Sequence, residues 1–269
     1  MKLNKIIIAL LVMSTLTGCG QVGKVKKGST EAATPVVDAK QQASLDTLYW
    51  MNGTYGILIL RNGLDYKYLG GVESKDAITK QRIQQSLKDS WDINSREDLD
   101  STIQWLLDEG HNASMMQEYK EMGLDQYSRE EVASLSKEDS VAYNLCIYDA
   151  VTTYEDNAIL AWDLSRAIQL AIWGYEAGYY EYDEAIEKSL EISKNLQQAY
   201  DSWDNMMASY FYGYQYWSEG DPEDANSEAY ARHKLYEESK KDKDSPYQLD
   251  YKMPLDIEYA LANDIEVLR

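Results

Sequence analysis

The sequence predicts an all-α fold: a single compact multi-helix domain of about eight helices behind a flexible N-terminal tether. Three observations carry this reading. Apolar residues recur at three- and four-residue spacing along most of the chain, and no repeat has a fixed period. Helix-capping signatures, in which a Ser or Asn precedes an acidic residue by three positions, punctuate these stretches at Ser95, Ser128 and Ser136. The run from Leu160 to Tyr179 is apolar on nearly every side, a pattern that a helix tolerates only when neighbours cover it all round.

The N-terminus specifies an address. Lys2 and Lys5 precede the apolar run from Ile6 to Met13, and Leu16-Thr17-Gly18-Cys19 follows. A basic start, a short apolar core and small residues before a cleavage point describe a secretory signal peptide over residues 1–18, since the run is too short to span a bilayer. The last four residues resemble the lipobox of bacterial lipoproteins, which implies lipidation of Cys19 as the first residue of the mature chain. The expected location is the cell membrane or outer membrane, on its extracytoplasmic face. Gly20, in place of an Asp retention signal, favours the outer membrane in a host with two membranes. Residues 19–44, rich in Lys, Gly, Ala, Thr and Gln, read as a tether. Residues 45–269 form the helical domain.

Within the domain, Leu45 to Leu60 reads either as strands joined by hairpin turns at Asn52-Gly53 and Asn62-Gly63 or as a buried first helix that stops at Asn62-Gly63, and the helical character of everything downstream favours the helix. Asn94 or Ser95 caps the next helix, with Leu99, Ile103, Leu106 and Leu107 as its buried stripe and Gly110 as its stop. A helix from about Ala113 to Met122 ends at Gly123. Ser136 to Asp139 launches a helix that runs through Tyr154, and the central segment follows. Asp183 starts a helix bearing Ile186, Leu190, Ser193, Leu196 and Tyr200. Asp201-Ser202 caps another, with the stripe Trp203, Met206, Met207, Tyr210, Tyr214 and Trp217. Gly220-Asp221-Pro222 breaks it, a charged helix covers about Glu223 to Lys240, and Ser245 to Pro254 is irregular.

The central segment supplies the candidate site. One of its faces holds Trp162, Arg166, Gln169, Trp173 and Glu176, with Asp163 at the margin. Two tryptophans do not suit a solvent face, so the charges among them are expected to be buried and paired or hydrogen-bonded. Asp163 and Arg166, three apart, are placed to pair on the helix surface. Trp91, His111, Trp203, Tyr210 and Trp217 are secondary candidates, the aromatic ones as stacking surfaces and His111 as a pocket edge or helix-end group.

The blocks Trp91-Asp92-Ile93 with Ser95-Arg96-Glu97 and Leu99, Trp105-Leu106 leading to Gly110-His111, Ala161 to Ala167 with Gly174-Tyr175 and Gly178-Tyr179, and Ser202-Trp203 with Tyr210, Gly213 and Trp217 occur in an order that resembles a bacterial family known only as domain of unknown function 1266. The resemblance covers about Leu48 to Trp217. It implies a helical bacterial domain and no activity, and the lipoprotein leader stands outside it.

Charge and motif content narrow the function classes. The 26 basic residues, less Lys2 and Lys5, against 46 acidic residues leave a net charge of −22 after cleavage, which repels nucleic acid and anionic lipid headgroups. Membrane attachment therefore falls to the lipid on Cys19. His111 and His233 are isolated, so no metal site is expected, and no cofactor motif is present. Cys146 is the only other cysteine and reads as a small core residue. The preferred function is a non-enzymatic binding or interaction module displayed outside the membrane, with a protein partner of unknown identity. The alternatives are a glycan or small-ligand binding protein, and a carboxylate-based hydrolase with Glu176 and Asp163 as acid and base in an aromatic cleft.

Overall fold

The computed structural model describes residues 38–73, 75–138 and 140–269. The expected signal peptide, Cys19, Gly20 and most of the expected tether lie outside the described residues, as does Asp139 of the third capping signature.

The first helix, α1 (Ala39–Thr54), starts inside the stretch read as tether, capped by Asp38, whose side chain accepts from the Lys40 amide. Every residue from Thr47 to Ile59 is buried, which explains why this segment shows no polar face. A kink at Tyr55 separates α1 from α2 (Gly56–Arg61), so the single predicted helix is two. A 3-10 turn at Leu69–Gly71 follows, and then α3 (Ala77–Trp91), which periodicity did not indicate because only Ile83 and Leu87 of it are buried.

Ser95 caps α4 (Arg96–Asp108) by accepting from the Asp98 amide, and Asp98 in turn accepts from the Asn94 amide. Its buried stripe is Leu99, Ile103 and Leu106; Leu107 faces outward at 37% exposure. Gly110 begins α5 (Gly110–Glu121) rather than simply ending α4, the two being joined at Glu109. A full capping box between Ser128 and Glu131 opens α6 (Arg129–Leu135). Ser140, not Ser136, precedes α7 (Val141–Tyr154).

The central helix α8 (Leu160–Glu176) ends three residues before the predicted limit of Tyr179, with Ala177 as its C-cap and Gly178 at φ of 75°. Then come α9 (Tyr182–Ala199), α10 (Trp203–Ser218) capped by Ser202, and α11 (Glu228–Ser239) capped by Ser227. A 3-10 turn at Pro246–Gln248 and the short α12 (Glu258–Asn263) close the chain. The described residues hold twelve α-helices and no strand; the excess over about eight comes from α2, α3, α6 and α12, which are short or polar.

All but two of the residues of α8 are buried, because α1, α3, α4, α5, α9 and α10 all pack against it. Its contact with α10 is especially close: a Cβ at Gly213 would overlap the Trp162 side chain. A smaller second core gathers Met115, Leu124, Val132, Cys146 and Ile147 beneath α5, α6 and α7. Cys146 is free and buried, its thiol directed at the Tyr212 carbonyl and its pKa raised by burial.

Residues 256–269 clasp the front of the domain. The Thr47 hydroxyl accepts from the Asp256 amide, Arg269 pairs with Asp46 at 2.7 Å, and Lys40 pairs with Glu258. Tyr68 and Val267 form an isolated antiparallel bridge, flanked by hydrogen bonds from Leu268 to Lys67 and from Leu69 to Glu266.

Candidate functional site

The polar residues of α8 divide along the helix axis into separate environments. Asp163, fully buried, faces α5. Its Oδ1 accepts from the His111 amide at 3.0 Å and lies 2.7 Å from His111 Nδ1; its Oδ2 accepts from the Asn112 amide at 2.8 Å. The carboxylate therefore caps the first turn of α5 from another helix, satisfying two backbone donors where the helix dipole favours a negative charge. Gly110 permits this approach, because it takes φ of 59° and a Cβ there would overlap the Asp163 carboxylate. The expected pair between Asp163 and Arg166 does not form. A tertiary cap holds Asp163 more fully than a single neighbour on its own helix would.

Arg166 is buried without a carboxylate. Its guanidinium lies over the Trp162 ring at 4.2 Å and 5.8 Å from the Trp91 ring, and Nη1 donates to Gln169 Oε1 at 3.2 Å. Burial pushes its pKa down to about 10, and the like charge of Arg232 acts in the same direction. Arg232, on α11, is equally buried and lies over the Tyr214 ring at 4.3 Å. Trp162 is the hub of this region, with Tyr210, Tyr214 and Trp217 at centroid distances of 5.2, 5.9 and 6.1 Å and His111 at 6.2 Å. Of the four buried tryptophans, Trp50, Trp173 and Trp203 each donate Nε1 to a backbone carbonyl. Trp162 Nε1 alone has no acceptor among the described residues.

The structure thus brings together Trp162, Asp163, Arg166, Gln169, Trp91, His111, Tyr210 and Trp217. It separates Trp173 and Glu176, which lie eleven and fourteen residues along α8 from Trp162, about 16 and 21 Å by helical rise. Trp173 there donates to the Gly70 carbonyl. Glu176 is buried beside Tyr55, Lys75 and Glu266, and burial raises its pKa to about 7, with Glu266 adding to the rise and Lys75 opposing it. Trp203 belongs to yet another cluster, with Trp50, Tyr247 and Tyr251.

Arg232 is the residue that the sequence reading passed over. Its signal was its register: Ala229, Arg232, Tyr236 and Ser239, spaced by three and four, are the buried residues of α11, so the charge falls in phase with the inward stripe. Asn112 and Tyr200 were also missed. Asn112 Oδ1 accepts from the Ile159 amide ahead of α8, and the Tyr200 hydroxyl links the Ala161 amide, the Asn157 carbonyl and Ser209.

Among the described residues, no three His, Cys, Asp or Glu side chains converge as a metal site, and no helix is long and apolar enough to cross a membrane.

Comparison with known proteins gives a family but no activity. A curated relative, the "Uncharacterized protein YbeR" of Escherichia coli (strain K12), is 30% identical over 142 residues, which cover 51% of this chain and 58% of that protein. No solved structure matches the chain. The family model described as "Protein of unknown function (DUF1266)" matches residues 86–251, a span that contains α4 to α11 and the whole Trp162 cluster. The chain belongs to the DUF1266 family.

Proposed function

We propose that the protein is a non-enzymatic binding module, held on the extracytoplasmic face of the cell or outer membrane by lipid on Cys19. The observation that carries the binding part is the cluster around Trp162, where buried donors of α8, α10 and α11 have no acceptor among the described residues. Such groups cost stability unless something meets them. The anchor rests on the basic, apolar and small-residue pattern of residues 1–19.

Geometry argues against the hydrolase and against an open glycan platform. Asp163 and Glu176 are thirteen residues apart on one helix, about 20 Å by helical rise, whereas the carboxyl pairs of glycoside hydrolases stand roughly 5 to 9.5 Å apart. Asp163 is moreover engaged as a helix cap. A glycan platform needs open ring faces, and Trp162 and Tyr210 are 2% and 0% exposed. A protein partner would meet the acidic exterior, on a chain with net charge −20.

Two measurements test the proposal. In a bacterial host the full chain should sediment with membranes and partition into detergent, and Cys19→Ser should release it to the aqueous phase; a wild-type chain found in the aqueous phase refutes the anchor. Tryptophan emission of the domain should respond to at least one of a panel of anionic, cationic and neutral small molecules. Indifference to all of them refutes the binding role.

A further inference from the structure

Around the Trp162 ring, α8, α10 and α11 together bring more hydrogen-bond donors than the fold uses. Trp162 Nε1, Arg166 Nε, Arg232 Nε and Nη1, and Tyr210 Oη are all buried without a partner among the described residues. All but the hydroxyl are donors only. The two guanidinium groups share one aromatic cluster, since Arg166 lies on Trp162, Arg232 lies on Tyr214, and those two rings are 5.9 Å apart.

The pairing elsewhere in the molecule sharpens the contrast. Arg96, Arg129 and Arg269 each hold a carboxylate, Glu184, Asp149 and Asp46 respectively, at the surface. In a chain with 46 acidic residues, the two arginines taken inside have none among the described residues. Stacking on aromatic faces offsets part of the desolvation cost of a guanidinium but leaves its N–H groups unmet. A water molecule could accept from one of them, yet it would not relieve the repulsion between two like charges. A negatively charged acceptor does both, and planar guanidinium forks match the paired oxygens of a carboxylate or phosphate.

We propose that this cluster binds a small oxyanion, a carboxylate or phosphate group, between α8, α10 and α11. The inference rests on the binding-module reading and names the chemical class of its ligand. Arg166 and Arg232 supply the charge, Trp162 Nε1 and the Tyr210 hydroxyl supply directional donors, and the rings exclude water, which strengthens each bond. Trp91 and Trp217, each partly exposed, mark the edges where a ligand reaches the cluster.

The test is thermal unfolding and tryptophan fluorescence of the full chain, titrated at constant ionic strength with inorganic phosphate, acetate or neutral maltose. Wild type should gain several degrees in Tm with phosphate or acetate, the stronger of the two showing which oxyanion is preferred. Arg232→Met and Arg166→Met should each weaken that response by about tenfold or more, the loss expected for a charge-assisted hydrogen bond. Both variants should also melt higher than wild type in oxyanion-free buffer, because each removes an unmet buried charge. Arg232→Lys, which keeps the charge but not the fork, should fold and respond more weakly than wild type. An oxyanion response that survives in both methionine variants overturns the proposal, since the anion then binds elsewhere. A response to maltose alone overturns it while leaving the binding-module reading intact. Indifference to all three probes overturns the oxyanion site, and the wider panel decides the binding module separately.

Discussion

Glu176→Gln should stabilise the domain, by an amount that depends on pH in a defined direction. The carboxyl is buried near the end of α8 with no hydrogen bond from any described residue, and its pKa is raised to about 7 from 4.5. Between those two values the folded state keeps a proton that the unfolded chain has released. Stability therefore falls as pH rises from 4.5 toward 7 and stays at the lower level above it. The interval corresponds to about 3 kcal/mol at 1.36 kcal/mol per pH unit. Glutamine matches the shape and carries no charge, so it should recover about 2 to 3 kcal/mol at pH 8, less the cost of burying its amide. At pH 5, where most of the folded-state carboxyl is already neutral, the advantage should shrink to under about 1 kcal/mol. The assay is urea unfolding of wild type and variant at both pH values, with slopes compared to confirm the same unfolding transition. A variant less stable than wild type at pH 8, or one whose advantage is the same at both pH values, would refute the reasoning and show that Lys75 holds the carboxylate more strongly than burial penalises it.

Two further substitutions probe the supports of the Trp162 region. Gly110→Ala forces a Cβ into the Asp163 carboxylate at a residue with φ of 59°, so it should cost about 2 to 4 kcal/mol by urea unfolding; a loss under about 0.5 kcal/mol would show that α5 is not fixed by this cap. Tyr200→Phe removes the hydroxyl joining the Ala161 amide, the Asn157 carbonyl and Ser209, and should cost about 1 to 3 kcal/mol. No change in the denaturation midpoint would mean that the Ser209 hydroxyl alone satisfies the start of α8.

What was legible in the sequence follows from how local each signal is. The cap at Ser128, and those placed to within one residue at Ser95 and Ser202, depend on residues three apart, so the sequence alone locates them. The burial of α8 was legible because no solvent face would carry Trp162 and Trp173 together. Helix α3 was not, since its support is two buried side chains and its remaining residues meet water, which leaves almost no periodic trace. The partner of Asp163 was out of reach for a different reason. Spacing proposes Arg166 at three residues' distance, but the true partners come from α5, more than fifty residues earlier, and only the tertiary arrangement reveals them. Arg232 lay between these cases: its inward register was visible, but a charged segment invites the assumption of a solvated surface.

The clasp of residues 256–269 over α1 fixes an order of events in folding. Contacts such as Asp46 with Arg269 and Thr47 with Asp256 join positions separated by more than 200 residues, so their loop-closure cost falls due before they contribute any stability. A chain that emerges from its N-terminus can assemble α4 to α10 around α8 from nearer contacts, while α1, apolar along much of its length, waits for its cover. The exposed interval is the vulnerable one for self-association.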